Sequence, residues 1–533
     1  MRAARRQAPE LIEHGTTQRT RTTTRPARES IQSGDRFIMN AQQTASAESA
    51  AQGFGIESRS IDYIPESERH AKLHSQAPFW FLGNFHFFTI SIGFVGPGMG
   101  LSAAWTTFAG TLGIMFGTIF MAFHGSQGPE MGLPQMIQSR AQFGYRGVVL
   151  ALLATLFVFV GFNVVNVSLV MDGLRNVFGL SPTIVALAAS VLGGLLAIYG
   201  HDLMHRAFKW ALMATLPLYA IVTAALMAGL GDSAPAAASS APSALGFNWI
   251  AFVTQFAIGA SYNISYAPYV SDYTRYLPKQ TSRAKLIAAI FAGASLSGSW
   301  MIGIGAWLAA RLHASDALVA LNQIGSALLP GFGHVLVVVS VAGFLPIVAL
   351  NTYSAMLTLL TGVDSFRPVA PTRRARVIAI TAISSVLLAC ALLLKGHGIA
   401  LLNTFLVLLL YFLVPWTAVN LVDYFFVRKG RYAIAHFFTP HGIYGTWQVR
   451  GIAAYLIGFG AMIPFFNIVD TASDREIFVG YVAHRLHGVD IAWLIGLAVS
   501  GATYYVLSRS LDLHAEQRAI TNAAPLKPTV QPR

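Results

Sequence analysis

Twelve stretches of mostly apolar sequence, each near the ~20 residues that cross a bilayer as a helix, constrain this chain more than any other feature. They run approximately over 77–98, 102–123, 148–171, 181–199, 207–230, 247–270, 286–310, 330–360, 377–394, 399–422, 452–468 and 491–507. Backbone polar groups in hydrocarbon must be satisfied within the protein, so runs of this length predict membrane helices. Hydrophobic residues make up 54% of the 533 residues and charged residues 11%, with a mean hydropathy of +0.55, which excludes a soluble globular domain. The expected class is an all-α polytopic membrane protein with twelve transmembrane helices.

The formal charge of +13 raises nucleic acid as a partner, but the positions of the charges argue for topology instead. With both termini cytoplasmic, Arg175, Arg311, Lys395, Arg475 and Arg485 are the only ones of the 36 basic residues on the far side. The inner loops then hold Arg140, Arg146, Arg206, Lys209, Arg275, Lys279, Arg283 and Lys285, followed by Arg367, Arg373, Arg374, Arg376, Arg428, Lys429, Arg431 and Arg450. Excess Lys and Arg mark the cytoplasmic face. The expectation is a multi-pass protein of the cytoplasmic (inner) membrane, with the lipid bilayer as partner, no nucleic acid and no obligate protein partner. Cys390, the single cysteine, allows no intrachain disulfide and reads as packing.

Residues 1–76 are polar, without apolar periodicity or a signal-peptide core, and read as a mostly disordered cytoplasmic tail. Met39 is a candidate start, because Gly34-Asp35 can be encoded by purine-rich codons at ribosome-site spacing before it. Residues 77–230 read as a first five-helix half and 247–425 as a second, joined by the low-complexity loop 231–246. Residues 426–508 add an inner loop and two appended helices, and 509–533 a cytoplasmic tail.

Two spans are interrupted. In ASYNISYAPYVSDYTRYLP, residues 260–278 of the sixth span, Pro268 removes a backbone donor and frees carbonyls near 261–265. In TISIGFVGPGMG, residues 89–100 of the first span, Gly93, Gly96, Pro97 and Gly98 place a second break. Broken helices at matching places of two halves point to a secondary transporter's substrate site. Gly113 with Gly117, and Gly96 with Gly100, have the spacing of close helix contacts.

The cores hold no Asp, Glu, Lys or Arg at mid-depth; Glu130, Asp172, Asp272, Asp364 and Asp423 fall at ends or in loops. Amides, hydroxyls and aromatics are there instead, a lining suited to a neutral, flat, polar solute. Phe162 and Asn166 share one face of the third span, offering a ring and an amide that both donates and accepts. Asn351 is a second mid-membrane amide, in the eighth span, with Tyr353 and Ser354 just after it. A membrane Asn also serves as interhelical glue, and both readings stay open. His86 is the mid-membrane group that titrates near neutral pH; it is either a coupling residue or a neutral, hydrogen-bonded one. Asn84, Phe88 and Ser91 share a face, with Ser91 and the backbone near Gly93 as candidate lining. His201, Asp202 and His205 sit in a short inner loop, where capping is favoured over metal binding. No paired carboxylates, nucleophile with its base or metal cluster suggests an enzyme. A passive channel stays open.

Several segments together resemble the nucleobase:cation symporter-1 family, in its purine/cytosine permease branch. They are IESRSIDYIPESERH, SIGFVGPGMGL, GPEMGLPQMIQSRAQFGYRG, APYVSDYTRYLP, NTYSAML and VPWTAVNLVDYFFVRKGRY. The resemblance implies a five-plus-five inverted repeat of the leucine-transporter type with two further helices, and alternating access. It implies a nucleobase substrate, cytosine or a purine, held between the broken first and sixth helices and the third and eighth. Phe162, Asn166 and Asn351 match the family's binding positions, and Tyr262-Asn263 stands where some members stack a Trp. Leu345 and Pro346 stand where sodium-coupled members place a Ser and a Thr, which favours H+ over Na+ as coupling cation; no other cofactor is implied. Allantoin, hydantoins, uracil and pyridoxine-like rings are the alternatives within the family.

Overall fold

The computed structural model describes residues 61–522 apart from 231–245, 313, 315, 370–371, 396–397 and 471–474. Met39, residues 1–60, nearly all of the 231–246 loop and the residues from 523 onward lie outside the described residues. The main helices are α1 (Gln76–Asn84), α2 (Phe87–Ile92), α3 (Val95–Gly98), α4 (Ala103–Gly125), α5 (Val149–Phe178) and α6 (Pro182–Tyr199). They continue with α7 (His201–Met227), α8 (Trp249–Ile264), α9 (Ala267–Thr274), α10 (Arg283–Leu312), α11 (Ala317–Leu328) and α12 (Phe332–Asp364). The last are α13 (Arg373–Leu393), α14 (Gly398–Val422), α15 (Val449–Met462), α16 (Ala492–Ser508) and α17 (Leu513–Asn522). Among the described residues, eight helices are long and apolar enough to cross a membrane, and Leu73–Asn84 with Phe87–Gly98 makes a further span, bent by 53°. The broken pair α8 and α9, and the shorter α15 and α16, stand where the other three spans are expected.

The sixth span breaks where its sequence says it should. α8 ends at Ile264, and Pro268 falls in the first turn of α9, where its missing N–H costs nothing. The Tyr262 carbonyl is taken over by the Ser265 hydroxyl (2.5 Å). The first span corrects the sequence expectation. Its main break, a bend of 53°, lies not at Gly93–Gly98 but at Phe85–His86, where His86 is fully extended (φ −155°, ψ 167°); at Gly93–Phe94 only a short turn separates α2 from α3. His86 therefore stands in the break and not two turns before it. Gly93 keeps a right-handed conformation (φ −67°, ψ −13°), and Gly96 donates its N–H to Gln255 Oε1 (3.0 Å). The glycines serve packing: an added Cβ on Gly93 would meet the Ile302 carbonyl of α10, and one on Gly305 the Ile90 carbonyl of α2.

Helix α4 lies against α8 and α10, α5 against α12, and α1 against α10; α15 pairs with α16, which leans on α14. Gly113 and Gly117 admit the Phe256 and Ala260 carbonyls of α8, the close contact expected of their spacing. Several elements escaped the sequence reading, α17 in the expected tail among them. The amphipathic α11 is capped by Asp316, whose Oδ1 accepts from the Val319 N–H (2.9 Å). Beyond α15, β1 (Asn467–Asp470) pairs antiparallel with β2 (Arg475–Val479). Pro464 ends the helical run, so 466–468 leave the eleventh apolar span, expected to reach 468.

The expected disorder up to residue 76 also needs correction over 61–75. Ile61 and Ile64 are buried, and the Ile64 N–H donates to the Gly132 carbonyl (2.9 Å). Arg69 donates to the Ile64 (2.9 Å) and Pro129 (2.6 Å) carbonyls, and the Ala71 N–H to that of Tyr276 (3.0 Å). Polar composition hides the two isoleucines that anchor the segment.

Gly305→Ala should cost about 1–3 kcal/mol by overpacking α2 against α10. Gly98→Ala, with no atom within 4 Å of its added Cβ, should be near neutral. Melting of the two purified variants in detergent checks this pair.

Candidate functional site

Around the two breaks, three side chains from three spans meet. The rings of Phe88, Phe162 and Tyr262 lie 5.5 Å (Phe88 to Tyr262), 5.7 Å (Phe88 to Phe162) and 6.1 Å (Phe162 to Tyr262) apart, and all are buried. Phe405 of α14 backs the Phe162 ring at 5.1 Å. Of the sequence candidates, Phe162 and Tyr262 are thus brought together, with Phe88 the third ring. Aromatic faces of this kind cover a flat heterocycle and add about 1–3 kcal/mol per stacked base.

Beside the rings, the end of α1 exposes the Gly83 carbonyl, and side chains from both halves satisfy it. His86 Nε2 (2.9 Å) and the Tyr266 hydroxyl (2.5 Å) both reach it. A carbonyl only accepts, so Nε2 carries the imidazole proton and Tyr266 donates its own. The Tyr262 hydroxyl lies 3.2 Å from His86 Nε2, 3.2 Å from Tyr266 Oη and 3.0 Å from Thr89 Oγ1. Tyr266 Oη is then left to accept from Tyr262, and His86 Nδ1 keeps a buried lone pair with no protein partner. Phe344 of α12 packs its ring 5.1 Å from that of His86.

The amides divide into two kinds. Asn263 accepts from Asn84 Nδ2 (2.9 Å) and donates to Thr118 (2.6 Å), while Asn84 also donates to the Ala294 carbonyl (2.9 Å). This is interhelical glue joining α1, α4, α8 and α10. Asn351 donates to Asn163 Oδ1 (3.0 Å), and Asn163 donates to Thr352 Oγ1 (3.0 Å) and the Val348 carbonyl (3.0 Å), tying α5 to α12. Asn351 Oδ1 stays unpartnered. Asn166 is the other kind: it is buried, and neither its Oδ1 nor its Nδ2 has a protein partner. A buried unsatisfied amide costs about 1–3 kcal/mol, so this one needs an explanation. Sequence reasoning missed Asn163, Thr89 and Thr352, although FNVVNV offered two amides and only the second shares a face with Phe162.

Ser91 bonds the Phe87 carbonyl (3.2 Å) and lines a cavity of about 850 Å³ between α2, α8, α14 and the hairpin, with Thr254, Thr404, Asn467, Glu476 and His484. Gly93 turns to α10 and is not on this wall. The other end of the bundle is closed by polar bonds. Arg140 pairs with Asp364 (2.8 Å), and Asp423 pairs with Arg428, which also binds Glu516 of α17 (3.0 Å). Among the described residues, no three His, Cys, Asp or Glu side chains converge as metal ligands. Asp202 lies 3.5 Å from His70, and the His205 ring stacks on Phe79 at 4.3 Å.

Two broken helices, with a ring cluster at the breaks and an unpartnered amide one turn from one of its rings, are the arrangement expected of a membrane transporter's substrate site. The chain belongs to the family of permeases for cytosine/purines, uracil, thiamine and allantoin, which it matches over residues 63–496. It is 35% identical over 460 residues to a putative purine-cytosine permease of Bacillus subtilis, covering 85% of this chain and 96% of that one. It is 24% identical over 488 residues to a purine-cytosine permease of Saccharomyces cerevisiae, covering 86% of each. The fold is that of Mhp1, a nucleobase-cation-symport-1 family transporter solved in a closed conformation with bromovinylhydantoin bound. The TM-score is 0.66 at 17% identity, over 87% of this chain and 98% of Mhp1.

Ligand-free stability separates the two kinds of amide. Asn163→Ala orphans the Asn351 donor and should lower stability by about 1–3 kcal/mol. Asn166→Ala removes a group with no protein partner and should leave stability unchanged or raise it. Thermal unfolding of both variants without ligand tests the contrast.

Proposed function

We propose that the protein imports a neutral nucleobase, cytosine or a purine, across the cytoplasmic membrane together with a proton, by alternating access around the two breaks. The observation that carries this reading is Asn166: a buried amide, able to donate and accept, unpartnered one helical turn from the Phe162 ring. A nucleobase edge presents the complementary donor and acceptor, and Phe162 with Tyr262 supplies faces for the ring. Asn351, through its remaining Oδ1, is the second edge contact. Support for the substrate class comes from the purine-cytosine permeases to which the chain is related.

Proton coupling fits the chemistry of the first break. The Gly83 carbonyl, a group suited to a metal cation, is already held by the His86 and Tyr266 donors. On α12, Phe344 packs against His86, and Leu345 and Pro346 offer no side-chain oxygen. His86 is the titratable group at this place, with the Nδ1 lone pair open to a proton. Both termini are cytoplasmic in this reading, the hairpin end with its cavity faces outward, and the ion-paired end faces the cytoplasm.

Cells lacking their own permeases should accumulate radiolabelled cytosine or a purine, lose accumulation with a protonophore and keep it without sodium. Asn166→Ala should weaken apparent affinity about ten- to a hundredfold. Unchanged uptake by that variant would remove Asn166 from the site. Competition by allantoin or uracil alone would move the substrate to that part of the family.

A further inference from the structure

Asp272 of α9 lies at the inner end of the sixth span, in the half-helix that follows the break. Its side chain is 3% exposed. Its carboxylate accepts from the Gln135 N–H through Oδ1 (3.0 Å) and from the Ser354 hydroxyl of α12 through Oδ2 (2.9 Å). Among the described residues it has no ion-pair partner. Arg275, one turn on, bonds the Asp272 backbone carbonyl (3.2 Å) and the Tyr276 (3.2 Å) and Tyr353 (3.3 Å) hydroxyls instead. This sets Asp272 apart from Asp364 and Asp423 at the same end, each neutralised by an arginine. A buried carboxylate held by neutral donors, with the Arg275 charge nearby but not bonded to it, is expensive in a membrane protein and is a functional candidate by default.

On Asp272's own helix stand Tyr269, Tyr273 and Arg275. From α4, His124 reaches Gln135 Nε2 (3.2 Å) and stacks on Trp416 at 4.7 Å. From α12 comes Tyr353, 5.8 Å from the Tyr273 ring, with the Arg376 guanidinium of α13 5.0 Å behind it. From the segment before α1, the Asp62 carbonyl accepts from Arg275 (3.4 Å). Tyr262, Tyr266, Tyr269 and Tyr273 follow one another at helical spacing, with the Tyr262 and Tyr266 rings 5.7 Å apart and those of Tyr266 and Tyr269 5.1 Å apart. This stripe starts at His86 and ends beside Asp272.

Resting on the proton-coupled reading above, in which His86 is the titratable group at the first break, we propose that Asp272 is a second, inner station of the coupling proton and thereby works the inner gate. Ionised, it clamps α9 to α12 through Ser354 and to the loop after α4 through Gln135, with two charge-assisted bonds. A proton arriving from the outer side forms an O–H bond on the carboxyl, which then has one acceptor fewer and no charge, so both bonds weaken and α9 is released. When the gate opens, the proton leaves to cytoplasmic water and the clamp re-forms. The substrate is not touched by this group; it is a coupling and positioning residue.

Two experiments on the full-length protein test this. Ligand-free hydrogen exchange, corrected for intrinsic rates, reads the gate over 132–139 and 267–276 between pH 5 and 8. The wild type should open toward acid by up to about tenfold per pH unit, the linkage of one proton. Asp272→Asn should lose the pH step, Asp272→Glu should keep one, and Ser354→Ala should move it to higher pH because the charged form has lost a donor. No step in the wild type, or an unchanged step in Asp272→Asn, overturns the proposal. In liposomes, Asp272→Asn should retain cytosine counterflow but lose accumulation driven by an imposed pH gradient at least tenfold. Loss of both in a folded variant makes Asp272 merely structural and overturns it as well. A wild type driven by sodium, or inert toward cytosine, counts against the reading of function, while the exchange experiment still decides the gate.

Discussion

The structure turns on one constraint: each carbonyl and N–H freed by a broken helix inside the membrane needs a partner from the protein itself. At the break in the first span that partner is the sixth span, because Tyr266 donates to Gly83 across the bundle while His86 folds back onto the same oxygen. At the sixth span the partner is local, Ser265 to the Tyr262 carbonyl. The two breaks are thus one structure, with Tyr262 its central hydroxyl. Ring faces collect there, with the unpartnered amide of Asn166 one helical turn from the Phe162 ring.

How much of this the sequence displays depends on whether the cause is local. Pro268 acts on its own chain, so the sixth-span break is legible. The first break has no glycine or proline at Phe85–His86; it exists because Tyr266, Asn263 and Ala294, far along the chain, bond to Gly83 and Asn84. Gly93 and Pro97 have the residue types of helix breakers, yet Gly93 serves the approach of α2 to α10. Phe162 and Asn166 are readable as a pair because four residues make one helical turn. That Asn263 and Asn351 bond to other amides, while Asn166 does not, follows from tertiary contacts that spacing does not encode.

The acidic residues teach a related lesson. By position, Asp272, Asp364 and Asp423 read as helix ends near solvent, yet Asp272 and Asp423 are buried and Arg140, Arg275 and Arg376 are fully so. The segment 61–75, the turns between Gln127 and Phe143 and α17 cover them, and each cover looks polar in sequence. One end of the bundle is therefore locked by ion pairs and hydrogen bonds, and the other opens into a cavity walled by a hairpin. That asymmetry fits the alternating-access reading proposed above, and Asp272, held at the locked end by neutral donors only, is the carboxylate on which the proposed switch turns.

A ligand-bound structure is the most direct measurement of the central claim. With cytosine or hypoxanthine at saturating concentration, the account predicts the ring between Phe162 and Tyr262, which must separate to admit it, and its edge within hydrogen-bond reach of both atoms of the Asn166 amide. Ligand confined to the hairpin-side cavity, among Thr404, Asn467 and Glu476, with Asn166 still unpartnered, would contradict it.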